Sequence, residues 1–313
     1  MRNLFVASTG GHLAELHRLR PRLVGEGDEV VWVTPDSRQS RSLLSGESVI
    51  HVRDVPPRAY GAVAANSLAA RRILRQAGAE RVISTGAGIA LSFLPLARLS
   101  GLSCHYIESA ARLDGPSVTG RILRACRGAH LYSQYQEWAH PPWRYRGSVF
   151  DDITSVSAPR DVPIERVVVT LGTLHFPFER LLSRLVEVLP PDADVLWQVP
   201  SACSLDLPGR VVRALPHDEL EGAMRVADVV VCHSGIGSAL AALSANRCPV
   251  LVPREAAFGE HVDDHQRQVA ELLAARGLVI TCGVMELSVR HLELAAGRAT
   301  VTADALSPFL LEA

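Results

Sequence analysis

With 313 residues, 48% of them hydrophobic, and a formal net charge of −1, the chain has core enough for two domains and lacks the basic excess of a nucleic-acid binder. All 32 of its basic residues are arginine; without lysine, neither a Walker-type phosphate loop nor Schiff-base chemistry can operate. No apolar run approaches the roughly 18 to 20 residues of a spanning helix, and the N-terminal apolar stretch is too short for a signal peptide, so a cytoplasmic protein is expected.

In chain order, an apolar strand at 4–8 runs into a Thr9-Gly10-Gly11-His12 turn and a helix reaching about Val24. Leu13, Leu16, Leu19 and Leu23 give that helix one buried stripe. Strands follow at 29–34, 48–52, 81–85 and 103–108, with helices at 60–77 and 89–100 between them. This alternation predicts an α/β fold with an open, mostly parallel sheet, whose ligands bind at the carboxyl ends of the strands. The Gly10 to His12 turn, the Gly86-Ala87-Gly88 turn and Glu108 all fall there. Periodicity is lost over residues 151–164, which are rich in turn formers and read as a linker between domains at 1–150 and 165–313. The pattern then restarts with a strand at 167–170, a Leu171-Gly172-Thr173 turn, a helix at 178–188 and strands at 195–198 and 211–212.

The most informative stretch comes last. An apolar run at 229–232 enters His233-Ser234-Gly235-Ile236-Gly237-Ser238, then a small-residue helix, then a second apolar run at 249–253. That run opens into Gly259-Glu260-His261-Val262-Asp263-Asp264-His265-Gln266, read as a polar loop. A glycine-rich turn at a helix N-terminus offers free N–H groups and the positive end of the helix dipole to an anion. The polar loop offers groups suited to hydroxyls. Together they suggest a ligand that is part diphosphate and part sugar. Six scattered cysteines form no zinc or redox pair; Cys232 and Cys248 read as small core residues.

These motifs resemble the GT-B glycosyltransferases of the MurG type. They resemble more closely still the two-subunit UDP-GlcNAc transferase of dolichol-linked oligosaccharide synthesis, here fused on one chain. Ser8 to Leu13, Ser84 to Gly88 and Tyr106 to Arg112 are similar to the acceptor-side subunit. Val169 to Thr173, His233 to Ser238 and Gly259 to Gln266 are similar to the donor-side subunit. The resemblance implies two Rossmann-like domains with parallel sheets facing a cleft. It implies an inverting, metal-independent enzyme without cofactor, moving a sugar, GlcNAc first, from a UDP-sugar to a lipid-linked sugar acceptor in exopolysaccharide or glycolipid assembly. Gly172, Thr173, His233, Ser234, Gly235, Gly237, Ser238, Glu260, His261, Asp264 and Gln266 are then expected to bind the donor. Gly10, Gly11 and Arg112 would lie on the acceptor side, with His12 the first candidate base and Glu108 the second. MurG-type chains commonly place a carboxylate seven residues after the turn serine. Here that position is Ala241, so ribose recognition falls to other groups, is weaker, or the donor nucleotide differs.

Several assignments have plain competitors. His12 could cap the first helix, Glu108 could be ion-paired with Arg112, and the 263–266 run could be a solvated loop. The helix at 60–77 carries Leu68, Ile73 and Leu74 beside Arg71, Arg72 and Arg75, and Phe93, Leu94 and Leu96 follow in the next helix. Both suit either the inner surface of an anionic membrane or a buried core with a solvated arginine face. A non-catalytic nucleotide-sugar scaffold subunit and a nucleotide-sugar epimerase are the alternative functions.

Overall fold

The computed structural model describes residues 1–56, 59–158, 163–173, 176–200, 205–261, 265–304 and 306–312. The chain divides into two compact units, Met1–Asp151 with Ala305–Ala313, and Asp152–Asp304.

The first unit contains β1 (Arg2–Ala7), α1 (Gly11–Leu23), β2 (Glu29–Pro35), α2 (Arg38–Leu43), β3 (Ser48–Val52) and α3 (Tyr60–Ala77). It continues through β4 (Arg81–Gly86), α4 (Ile89–Leu99), β5 (Ser103–Ile107), α5 (Val118–Ala125), β6 (His130–Ser133) and β7 (Trp143–Tyr145). Its seven strands form one parallel sheet in the order β3-β2-β1-β4-β5-β6-β7. The order in which strands are added therefore reverses between β1 and β4, and the turns after these two strands flank the position where open α/β sheets take their ligands. Leu13, Leu16, Leu19 and Leu23 are all buried, fixing α1 on the sheet; each such side chain contributes about 2 kcal/mol. Ile73 and Leu74 of α3, and Phe93 and Leu94 of α4, belong to one buried cluster with strand residues Leu4, Val6 and Val82, so they are not surface residues. Leu68 is the exposed exception, at 81%.

The second unit opens with β8 (Ile153–Ser157) and β9 (Arg166–Thr170), then α6 (Glu179–Val188), β10 (Asp194–Gln198), β11 (Arg210–Val212), α7 (His217–Val226) and β12 (Val229–Cys232). It ends with α8 (Ile236–Ser244), β13 (Val250–Leu251), α9 (His265–Ala275), β14 (Ile280–Thr281), α10 (Val289–Ala296) and β15 (Arg298–Thr302). Its parallel sheet has the order β11-β10-β9-β12-β13-β14, with the reversal between β9 and β12. The near-continuous apolar runs of β9 and β12 suit strands covered on both faces, and Val167, Val169, Val229, Val231 and Trp197 are buried with Leu181, Leu182 and Leu185 of α6.

Three boundaries differ from the sequence reading. Within the expected linker, Ile153–Ser157 is a strand that pairs antiparallel with β15; its Ser and Thr residues disguised a largely exposed ribbon. Residues 306–312 join the first unit, where Phe309 is buried against Tyr132, with ring centroids 5.6 Å apart, and its N–H donates to the Arg22 carbonyl. The loop expected through Gln266 ends at His265, so Gln266 sits in the first turn of α9.

Candidate active site

In the first unit the turn after β1 carries His12 across to the end of β4. The His12 Nδ1 lies 2.8 Å from the Thr85 carbonyl. A carbonyl only accepts, so Nδ1 bears the proton and Nε2 keeps its lone pair. The Thr85 hydroxyl donates back to the His12 carbonyl at 2.7 Å. Burial holds the imidazole below its ordinary value; the Thr85 carbonyl opposes that shift and Arg112 adds to it. At neutral pH the ring is therefore neutral, with a fixed tautomer and Nε2 free to accept, the state a general base needs. Gly86, at φ +110°, lets the ring lie against its backbone; a Cβ there would meet the imidazole at 3.1 Å. The Gly10 peptide is held by Gln39, which accepts from its N–H at 2.6 Å and donates to its carbonyl at 3.0 Å. That N–H is committed within the protein. Gly11 begins α1.

Glu108, the second candidate base, is almost fully buried and accepts four hydrogen bonds. Oε1 takes the Tyr106 hydroxyl at 3.0 Å and the Ser109 N–H at 3.2 Å; Oε2 takes the Ser117 N–H at 2.9 Å and hydroxyl at 3.0 Å. Burial raises its pKa and the Ser117 bonds oppose this most strongly. Ser117 in turn caps α5. The carboxylate is thus spent on fixing residues 109–117. The other flank of that loop is held by Glu15, also fully buried, which accepts from the Ser109 hydroxyl at 2.7 Å, the Ala110 N–H at 2.9 Å and the Gln134 amide at 2.7 Å. Burial raises Glu15 to about 7, and nearby Glu108 pushes it the same way. Arg112, within the loop, accepts from the Trp138 indole through its carbonyl at 3.0 Å.

In the second unit the turns after β9 and β12 meet through His233. Its ring is buried and lies between Gly172 and Gly235 so closely that a Cβ on Gly172 would fall 2.5 Å from it, and one on Gly235 closer still. Gly172 is at φ +72°, so the turn after β9 needs glycine twice over. Burial lowers His233 to about 3 and Arg254 adds to that, while the Thr170 carbonyl opposes. His233 is a neutral spacer between two turns. Ser234 stands at φ +53°, a left-handed position costly for a non-glycine residue. Its hydroxyl is buried and has no hydrogen-bond partner among the described residues. Gly235 caps α8, Gly237 lies in its first turn, and Ser238 is buried behind it.

The remaining residues expected on the donor side divide. Both carboxylate oxygens of Glu260 are taken by Arg180, at 2.8 and 3.0 Å, and the Glu255 N–H donates to one of them at 3.1 Å. Glu260 thereby pins residues 255–260 to α6. Gln266 accepts from the Arg254 N–H at 3.2 Å, tying α9 to the end of β13. The His261 ring stacks at a tilt on Phe176, 5.3 Å between centroids. Thr173 is exposed, and Asp264 lies outside the described residues. Among the described residues no group of three or more His, Cys, Asp or Glu side chains could hold a metal ion. The sequence reading missed Glu15, Gln39, Gln134, Arg180 and Arg254. Glu15 had left a signal, an acid flanking the leucine stripe of α1; Arg254 had left another, an arginine immediately after an apolar strand.

Residues 203–302 match the glycosyltransferase family 28 C-terminal domain. A UDP-N-acetylglucosamine--N-acetylmuramyl-(pentapeptide) pyrophosphoryl-undecaprenol N-acetylglucosamine transferase of Xylella fastidiosa is 26% identical, over 88% of this chain and 81% of its own length. Among solved structures, the glycosyltransferase SnogD from Streptomyces nogalater superposes with a TM-score of 0.58 at 19% identity, covering 95% of this chain and 93% of that one. MurG from Acinetobacter baumannii gives 0.55 at 19% identity, over 94% and 89%. Spinosyn rhamnosyltransferase SpnG, solved with thymidine diphosphate, gives 0.55 at 18% identity, over 95% and 90%. Two parallel-sheet units with these neighbours, and a family 28 domain over the second, make the chain a glycosyltransferase built on the GT-B fold.

Proposed function

We propose that the protein is an inverting, metal-independent glycosyltransferase that moves GlcNAc from a UDP-sugar to a polyprenyl-diphosphate-linked acceptor in polysaccharide or glycolipid assembly. The observation that carries this reading is the turn before α8. There Ser234 is held in a left-handed conformation with its buried hydroxyl unpartnered, at the head of a helix whose first N–H groups favour an anion. The Xylella relative is named for UDP-N-acetylglucosamine and a pyrophosphoryl-undecaprenol acceptor, and SpnG was solved with a nucleoside diphosphate. Both names support a nucleoside-diphosphate sugar as donor.

In this reading the second unit binds the donor and the first supplies the base. The acceptor oxygen bonds the anomeric carbon as the bond to the diphosphate breaks, the electron pair leaves with the diphosphate, and the hydroxyl proton goes to His12 Nε2. A single displacement inverts the anomeric centre. Because sugar nucleotides carry a good leaving group, the rate gain rests on stabilising charge that grows on the diphosphate.

No helix among the described residues is long and apolar enough to cross a membrane. Side-by-side helices α3, α4 and α5 nevertheless expose Tyr60, Leu68, Leu99, Val118 and Ile122 among Arg71, Arg72, Arg75, Arg121 and Arg124. Apolar side chains set among arginines favour a peripheral contact with an anionic membrane face, where a lipid-linked acceptor resides.

The test is calorimetry with UDP, UDP-GlcNAc, UDP-glucose, UDP-glucuronate, GDP-mannose and thymidine diphosphate on the parent and on Gln266→Ala. Selective binding of UDP-GlcNAc, weakened in the variant, supports the proposal. Preference for another nucleotide overturns the donor, and no binding at all overturns the nucleotide-sugar reading as a whole.

A further inference from the structure

Just past β13 lies a buried charge with no hydrogen-bonded acid among the described residues. Arg254 has no exposed surface. Its Nη2 donates to the carbonyls of Leu171 and Phe176, at 3.2 Å each, bracketing the turn after β9. Nε and Nη1 have no hydrogen-bond partner among the described residues. The Phe178 ring lies 5.5 Å from the guanidinium carbon. The acid whose field reaches it, Glu260, is gripped by Arg180 through both oxygens. Burial consequently draws Arg254 down to about 10. A buried cation without a hydrogen-bonded acid is a standing cost to the fold.

The register places this charge beside the α8 turn. Val252 donates its N–H to the Cys232 carbonyl at 2.9 Å, and Arg254 and Ser234 each follow two residues beyond that bond, past the ends of the adjacent parallel strands β13 and β12. The two carry buried donor groups with no partner among the described residues, Ser234 Oγ and Arg254 Nε and Nη1. Arg254 also acts electrostatically on His233, the residue before Ser234.

We propose that Arg254 and Ser234 together form the charged part of an oxyanion site at the head of α8, which takes a diphosphate, with Arg254 supplying its fixed positive charge. The proposal rests on the nucleotide-sugar reading and names the group that stabilises the leaving diphosphate in a chain without lysine. A fixed charge in a buried setting acts most on the state with the most negative charge, so Arg254 favours the departing diphosphate over the intact donor.

The experiment compares inorganic pyrophosphate, UDP and uridine by calorimetry on the parent, Arg254→Met, Arg254→Lys and Ser234→Ala. Expected is binding of pyrophosphate and UDP to the parent, roughly tenfold or more weaker in Arg254→Met and partly restored in Arg254→Lys, with uridine affinity unchanged. Equal losses for all three ligands would make Arg254 a tether of the 171–176 turn and overturn the proposal. Should Arg254→Met not fold, unaltered pyrophosphate affinity in both Arg254→Lys and Ser234→Ala overturns it as well. Pyrophosphate binding without any gain from the uridine moiety keeps the oxyanion site and sinks the uridine donor instead.

Discussion

The two units use the same device at their switch points and finish it differently. In the first, His12 reaches from the turn after β1 to the Thr85 carbonyl and the backbone of Gly86, at the end of β4. In the second, His233 reaches from the turn after β12 back to the Thr170 carbonyl, 3.4 Å away, and to Gly172, after β9. Each histidine is fixed through Nδ1 and each lies on a glycine at positive φ. His12 is only partly covered, whereas His233 is closed in by a second glycine, Gly235. A shared backbone arrangement thus yields a candidate base in one unit and a packing element in the other. The electrostatics diverge too: two buried carboxylates support the first site, while a buried arginine supports the second.

Exchanging the histidines for alanine is the sharpest way to break this comparison. His12→Ala is expected to lower kcat by about two to four orders of magnitude with donor affinity unchanged, measured by initial rates and calorimetry. His233→Ala should leave the pH dependence of kcat in place while weakening donor binding through loosened turns. Similar pH profiles lost in both variants would contradict the division of roles.

Acid–base titration of stability separates the two supporting networks. The folded pKa of Glu15 is raised from 4.5 to about 7, so its stabilisation is full below about pH 4.5 and is lost as pH rises through 7. The loss amounts to at most about 3 kcal/mol, and it should vanish from denaturation curves of Glu15→Gln. His233 runs the other way. Its folded pKa is lowered from 6.5 to about 3, so the stability it contributes disappears as pH falls from 6.5 towards 3, a limb that His233→Ala should flatten.

Packing around His233 gives a smaller, self-checking effect. Gly235→Ala should destabilise the protein by about 1 to 3 kcal/mol through overpacking, and much of that should return in the double variant with His233→Ala, as read from a double-mutant cycle. Smallest is the surface of α3. Arg72→Glu should leave stability within about 0.5 kcal/mol while reducing sedimentation with anionic vesicles; unchanged sedimentation would remove the membrane contact from the proposed function.

The alternation of apolar runs and glycine turns made the two sheets and their switch-point turns legible in the sequence, because buried parallel strands and the turns after them leave strong local marks. β8 and β15 left none, being half-exposed strands whose partner lies over 140 residues away. The candidate site was legible where backbone geometry requires a residue type, as at Gly172 and Gly235; His12 was singled out because its residue type is chemically suited to a base, a role that remains a proposal. It was not legible where a role depends on who sits opposite. Glu260 and Glu108 look like free acids in a linear reading, yet Arg180 takes one and four donors saturate the other. Gly10 looks like a free acceptor-side turn until Gln39, 29 residues on, occupies its N–H.

The return of residues 306–312 to the first unit sets an order of assembly. Phe309 covers Tyr132, Arg22 donates to the Ser307 carbonyl at 2.9 Å, and Glu312 is ion-paired with Arg144 and hydrogen-bonded to His130. The second unit is in effect an insertion between Asp151 and this closing segment. At ribosomal speeds of about 5 to 20 residues per second, the closing segment emerges roughly 8 to 30 seconds after Asp151. The first unit to be synthesised is therefore the last to be completed, and throughout that interval the face around Tyr132 waits uncovered.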